Sequence, residues 1–312
     1  MSNNDYWTYS DIPDQTGRIA IVTGANSGIG YETARALAKK GAIVIMACRN
    51  MEKANEAADR IRSEHPSGEI VVLRLDLGDL DSIHVFVDKF ENQYDRLDLL
   101  INNAGIMHPP YGKTKQGFES QFGVNHLGHF ALTGLLLDKM MCTPQSRVVT
   151  VSSVGHRIGR IDFENLNAEK GYSANKAYCQ SKLANLQFTY ELQRRLQAVG
   201  SKTIATAAHP GWTETNLQQN SGAIRAFNRF LAQQPDMGAL PTLRAATAPD
   251  VRGGDYYGPS KRMSMVGYPK KERSNGRSYD AAVASQLWTV SEELSGVHYS
   301  FITGETAKTG VS

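Results

Sequence analysis

Tyr178 and Lys182 stand four residues apart near the start of a long helical stretch, Ala174 to Val199. One helical turn puts a phenol and an ammonium on the same face, where the positive charge favours the phenolate and lowers its pKa. A free phenol titrates near pH 10 (roughly, in model peptides), too high for ready proton transfer at neutral pH. The pair therefore points to general acid–base chemistry, although Tyr-x-x-x-Lys also arises on ordinary solvated helices.

A second stretch bears on anions. Arg18-Ile-Ala-Ile-Val-Thr-Gly-Ala-Asn-Ser-Gly-Ile-Gly-Tyr31 begins as a short apolar run, Ile19 to Val22, and passes through glycines into the helical pattern Glu32 to Lys40. In this reading Gly24 permits a tight turn, Gly28 lets the backbone approach a pyrophosphate, and Gly30 lets helix and strand pack closely. The free N–H groups and dipole at the helix start attract negative charge. The spacing is G-x-x-x-G-x-G rather than the commoner G-x-G-x-x-G.

The elements that must position these groups alternate along the chain. Apolar runs at Ala42–Ala47, Glu69–Leu75, Asp98–Ile101, Arg147–Ser152 and Thr203–Ala208 read as strands. Helical patterns separate them at 51–64, 80–94, 118–141 and 174–199. Unbroken β-α alternation predicts an α/β fold, one doubly wound Rossmann-type domain with a parallel sheet and helices on both faces. It would span residues 17–312 after an N-terminal extension, 1–16. Strand ends along one edge of such a sheet form the ligand crevice, so Asp76 and the Asn102-Asn103-Ala104-Gly105 turn should lie near a bound cofactor. The end of the second strand selects that cofactor. A carboxylate there would hold the ribose 2′-hydroxyl of NAD, whereas Arg49 can pair with the 2′-phosphate of NADP, and no acidic neighbour follows until Glu52. From about 214 to 257, Ile224, Phe227, Phe230 and Leu231 share a helical face, which predicts a substrate lid.

A net charge of +3, from 34 basic and 31 acidic residues spread along 312, gives no footprint for nucleic acid. Cys48, Cys142 and Cys179 are too scattered for a disulfide framework or a metal knuckle, so reduced thiols in a cytoplasm and no metal are expected. No apolar stretch suits a signal peptide or an integral membrane segment.

Thr23-Gly-Ala-Asn-Ser-Gly-Ile-Gly30, Asn102-Asn-Ala-Gly105, Asn125, Ser153 and Tyr178-x-x-x-Lys182 follow one another in the order seen in the classical short-chain dehydrogenases/reductases. The chain resembles that family from about residue 17 to 215. Ala-Cys-Arg-Asn at 47–50, Ser-Lys-Leu-Ala-Asn at 181–185 and His-Pro-Gly-Trp-Thr at 209–213 look most like its retinol-dehydrogenase-like branch. The resemblance implies roles. Tyr178 would protonate a carbonyl oxygen, Ser153 rather than Ser152 would hydrogen-bond it, Lys182 would lower the tyrosine pKa and bind the nicotinamide ribose, and Asn125 would hold a relay water. Beyond Arg49, Tyr178 and Lys182, the cofactor contacts it implies run from Gly24 through Asn26, Ser27, Gly28, Ile29 and Gly30 to Asp76 and Leu77. They continue through Asn103, Ala104 and Gly105 to Pro210, Gly211 and Thr213. About 24 residues separate Ser153 from Tyr178, more than is usual in the family, through an insertion at roughly 159–172 of a kind the branch also carries.

The expected activity is NADP-dependent interconversion of a lipophilic aldehyde or ketone and its alcohol, and the resemblance allows a homo-oligomer, a state family members often adopt. Ile106, Met107 and Trp212 would supply apolar pocket walls, and His156 and His209 would have structural roles. Two other readings fit the same residues: a non-catalytic NADP-binding sensor or scaffold, and a carbon-carbon double-bond reductase resembling protochlorophyllide reductase.

Overall fold

The computed structural model describes residues 6–212 and 233–301. β1 (Ile19–Thr23) is buried along its whole length, paired in parallel with β2 (Ile43–Cys48) on one edge. β3 (Glu69–Arg74) lies beyond β2, and β4 (Leu99–Asn102) pairs with the other edge of β1. A strand with neighbours on both edges and helices on both faces has no solvent side, which is why Ile19 to Val22 is an unbroken apolar run. β5 (Arg147–Val151), β6 (Ile204–Ala208), β7 (Tyr256–Lys261) and β8 (Val266–Lys271) complete a sheet of order β3-β2-β1-β4-β5-β6-β7-β8. The predicted doubly wound fold is present. It departs from an all-parallel sheet at β8, which runs antiparallel to β7. The order reverses between β1 and β4, so the connections leaving these two strands diverge and open a crevice at their carboxyl ends.

Seven helices are described: α1 (Gly28–Lys39), α2 (Met51–Arg62), α3 (Leu80–Glu91), α4, α5 (Ala174–Ala198), α6 (Pro235–Thr247) and α7 (Ala281–Ser295). The α4 helix is continuous through Ser120–Phe122, a π-helical stretch Gly123–Leu127, and Gly128–Met141. One core contains Leu37, Ile61 and Leu243, from α1, α2 and α6. The other contains Phe86, Leu136 and Leu192, from α3, α4 and α5, with Trp288 of α7 joining it. Phe130 ties three of these elements together, its ring 5.6 Å from Phe188, 5.1 Å from Trp288 and 4.8 Å from Tyr299. Truncating such a residue costs about 3–5 kcal/mol.

The described part of the N-terminal extension packs on the domain. Ile12 is buried, and the Tyr9 hydroxyl donates to the Asp236 carbonyl at 2.8 Å. Residues 214–232 of the predicted lid lie outside the described residues. Within the remainder, α6 is the crossover between β6 and β7, with Leu240 and Leu243 buried. Among the described residues no helix is long and apolar enough to cross a membrane.

Candidate active site

A cavity of about 440 Å³ lies over the carboxyl ends of the central strands. The β1–α1 turn lines it with Gly24, Asn26, Ser27, Gly28, Ile29 and Gly30, the end of β2 with Arg49, Asn50 and Lys53, and the loop after β3 with Asp76 and Leu77. Asn103, Ala104 and Gly105 come from beyond β4, Tyr178 and Lys182 from α5, and Pro210 from beyond β6. Lys53 and Asn50 were not singled out by sequence, though Arg49-Asn50-Met51-Glu52-Lys53 begins a helix, which carries Lys53 back beside Arg49.

The glycines shape this crevice. Gly24 has φ +67°, and a Cβ there would stand 3.0 Å from the Cα of Ala104. A Cβ on Gly30 would stand 2.5 Å from both Asn103 Nδ2 and the Gly24 carbonyl oxygen. Gly30 therefore seats α1 against the turn after β4, rather than simply against a strand as its sequence context suggested. At Gly105 a Cβ would fall 3.3 Å from Lys182 Nζ, so its absence keeps the crevice open beside the ammonium. The first turn of α1 carries no acidic residue and Ser27 makes no side-chain cap, so the positive end of the helix meets the cavity uncompensated. These features fit a dinucleotide with its pyrophosphate at α1.

Tyr178 and Lys182 meet in the crevice, with Lys182 Nζ 5.8 Å from the centre of the Tyr178 ring. Burial acts on both groups. Desolvation pushes the Tyr178 phenol up to about 12 against the opposing effect of the Ser153 hydroxyl, and burial pushes the Lys182 ammonium down to about 8. Lys182 is 4% exposed, and its ammonium donates to the Val151 carbonyl at 3.3 Å. In this arrangement Tyr178 holds its proton at neutral pH, the state required of an acid.

The two serines after β5 differ. Ser152 is buried, and its hydroxyl donates to the Lys182 carbonyl at 2.7 Å. Ser153 is half-buried beside the Tyr178 phenol, and its Oγ accepts from the Gly155 N–H at 3.2 Å. Asn125 lies in the π-helical stretch, behind the cavity wall rather than in it. Its Oδ1 accepts from Ile106 N at 2.8 Å, and its Nδ2 donates to Ile106 O and Ser181 Oγ, both at 3.0 Å. The side chain thus clamps the turn after β4 to α5.

Gly211 does not line the cavity. Its φ of +68° and a virtual Cβ 2.2 Å from the Met265 carbonyl show that it fits the β7–β8 hairpin closely against the β6 exit. Thr213 lies outside the described residues. The two histidines noted in the sequence are packed side chains. His209 pairs with Glu272 at 2.5 Å, and His156 accommodates the Ser153 carbonyl at 2.6 Å with burial pushing its pKa down to about 4. His108, not singled out by sequence, sets its ring edge-on to Tyr178 with centroids 5.4 Å apart. Of the apolar wall residues, Ile106 lines the cavity and Met107 and Trp212 do not.

A family model described as short chain dehydrogenase matches residues 18–225. Retinol dehydrogenase 12 of Homo sapiens is 43% identical over 289 residues, covering 91% of this chain and 88% of that protein. Retinol dehydrogenase 13 of Homo sapiens is 41% identical over 308 residues, covering 94% and 90%. Among solved structures, an uncharacterized protein from Mycobacterium Paratuberculosis superposes with TM-score 0.81 at 45% identity, over 95% of this chain and all of that one. The Pseudomonas aeruginosa RhlG/NADP active-site complex shares the fold, with TM-score 0.63 at 23% identity over 78% and 94%.

Proposed function

The chain belongs to the short-chain dehydrogenase/reductase family, in its retinol-dehydrogenase-like branch, and from that premise we propose that it is an NADP-dependent oxidoreductase interconverting a lipophilic aldehyde or ketone and its alcohol. The observation that carries this reading is the meeting of Tyr178 and Lys182 in the same crevice as the glycine turn of β1. NADPH, when bound, supplies the hydride; the chain supplies position and the proton.

In reduction the Tyr178 hydroxyl donates its proton to the carbonyl oxygen, and in oxidation the phenolate takes it back. The Ser153 hydroxyl donates to the same oxygen and fixes its orientation. The Lys182 ammonium, held by Val151 O, stabilises the phenolate that remains after donation and would hold the ribose of the nicotinamide cofactor. The Asn125 carbonyl is the relay end of the site. Arg49 and Lys53 support the NADP preference because they bring two cations to the end of β2. Asp76, the one carboxylate in the described lining, already accepts from the Gly78 N–H at 3.0 Å. The apolar substrate class is supported by Ile106 in the wall and by the retinol dehydrogenases among the relatives.

The test is a fluorescence titration with NADPH and NADH, followed by NADPH consumption with retinal and simpler apolar aldehydes. NADPH should bind at least about tenfold more tightly than NADH, from one or two added charge-assisted contacts, and be consumed only when a carbonyl is present. Binding without turnover on any carbonyl would favour a sensor or scaffold, and equal affinities would overturn the NADP assignment.

A further inference from the structure

His129 lies on α4 one turn beyond Asn125, is 1% exposed, and touches both halves of the crevice. Its Nδ1 is 3.0 Å from the Asn125 carbonyl oxygen, and its Nε2 is 2.9 Å from Thr23 Oγ1 at the end of β1. A carbonyl oxygen only accepts, so Nδ1 carries the proton. Burial holds the imidazole neutral, pushing its pKa down to about 4, so Nε2 presents a lone pair and Thr23 must donate to it. The Thr23 oxygen then accepts twice, from the N–H groups of Asn103 and Ala104, both at 2.9 Å. A hydroxyl has one proton and two lone pairs, and here all three are used. The Ile101 carbonyl, at 3.3 Å, loses the competition for that proton.

Resting on the reading of the crevice as a dinucleotide site, we propose that His129 is a positioning residue that sets both ends of it, as the Nδ1–H tautomer. One nitrogen orients the Asn125 carbonyl at the proton-relay end. The other takes the Thr23 proton, which frees that oxygen to hold the Asn103-Ala104 turn against the cofactor. The opposite tautomer would point an N–H at an oxygen whose lone pairs are both occupied, and one of the two amide bonds to Thr23 would be lost, the Asn103 N–H keeping the Ile101 carbonyl at 2.9 Å as its second acceptor.

The two halves of the ring can be separated by substitution. In His129→Asn the amide N–H replaces Nδ1 and still reaches the Asn125 carbonyl, but Thr23 loses its nearer acceptor and is left with the Ile101 carbonyl at 3.3 Å. In His129→Gln the amide oxygen replaces Nε2 and keeps Thr23, but the Asn125 carbonyl loses its donor. His129→Asn should weaken NADPH binding by about five- to tenfold, the scale of one buried hydrogen bond, with a smaller change in kcat. His129→Gln should hold NADPH affinity within about twofold and lower kcat by about tenfold or more, as expected for a displaced relay group. Thr23→Val removes that contact together with both turn-amide bonds, so it should lose at least as much affinity, and adding His129→Asn to it should cost little more, since the Thr23–His129 contact is already gone. Histidine nitrogen NMR on the unsubstituted protein, with the His129 signals assigned through His129→Gln, should show a protonated Nδ1 and a bare Nε2. A protonated Nε2, additive losses in the Thr23 and His129 variants, or identical effects of Asn and Gln on both readouts would each overturn the proposal. Because the tautomer is read without nucleotide or turnover, it remains a test even if NADPH fails to bind, a result that would instead count against the functional reading.

Discussion

Ser152 and Ser153 are neighbours of the same type, and the structure assigns them different consequences. In Ser152→Ala the lost group is a buried hydroxyl whose 2.7 Å bond ties β5 to the carbonyl of Lys182. Its removal should cost about 1–1.5 kcal/mol. With an unfolding entropy of about 2.1 cal/mol/K per residue, 312 residues give roughly 0.65 kcal/mol/K, so Tm should fall by only about 2 °C. Turnover should stay within about twofold, because the Lys182 backbone remains in its helix. In Ser153→Ala the lost group is the half-buried hydroxyl beside the Tyr178 phenol, whose oxygen accepts from the Gly155 N–H at 3.2 Å. Stability should change by less than about 1 kcal/mol. The kcat should fall about 100- to 1000-fold, the scale measured when one donor to a developing oxyanion is removed. Thermal melts and single-turnover kinetics on both variants read the two quantities separately. An inactive Ser152→Ala beside an active Ser153→Ala would refute the assignment.

Removing the cations at the end of β2 by Arg49→Ala and Lys53→Ala should weaken NADPH binding by about five- to tenfold each and leave NADH nearly unaffected, as both side chains are exposed and solvent screens their charge; competitive titration of the two nucleotides checks it. Gly30→Ala places a methyl 2.5 Å from two fixed atoms; about 1–3 kcal/mol of stability, the usual cost of overpacking, and most nucleotide affinity should be lost, as read by urea denaturation and the same titration. Burial holds His126 at about 3 and His129 and His156 at about 4, all below the ordinary 6.5. The unfolded chain therefore binds protons that the folded chain refuses, and stability should fall as pH drops below about 6.5 toward pH 4. Urea midpoints that stay constant between pH 7 and 5 would contradict this.

The parts of the fold legible in sequence were those whose local pattern and tertiary surroundings agree. β1 to β6 are short, largely apolar runs because both faces are covered, and their helices show apolar stripes because one face is. α6, β7 and β8 were not legible for identifiable reasons. The α6 helix contains Pro235, Gly238 and Pro241, residues that read as breakers, and it is helical because Pro235 occupies its first turn and its apolar side chains are buried. Pro259 and Pro269 disguise β7 and β8. The second of these is the sheet edge, where a proline removes no bond the sheet needs and Lys270 and Lys271 discourage further pairing. In the site, residue types at fixed spacing identified the glycine turn, Tyr178 and Lys182. The desolvation that raises the phenol pKa, the inward use of the Asn125 side chain and the His129–Thr23 link depend on which elements meet, and pair spacing within one helix carries no information about that.

The account depends on the Tyr178 hydroxyl being the proton donor in a crevice that also holds the nicotinamide cofactor. Tyr178→Phe removes that oxygen and leaves the ring and its neighbours in place. NADPH affinity in this variant should match that of the unsubstituted protein within a few-fold, while NADPH consumption with an apolar aldehyde should fall to the level seen without enzyme. Retained turnover with unchanged affinity would contradict the account.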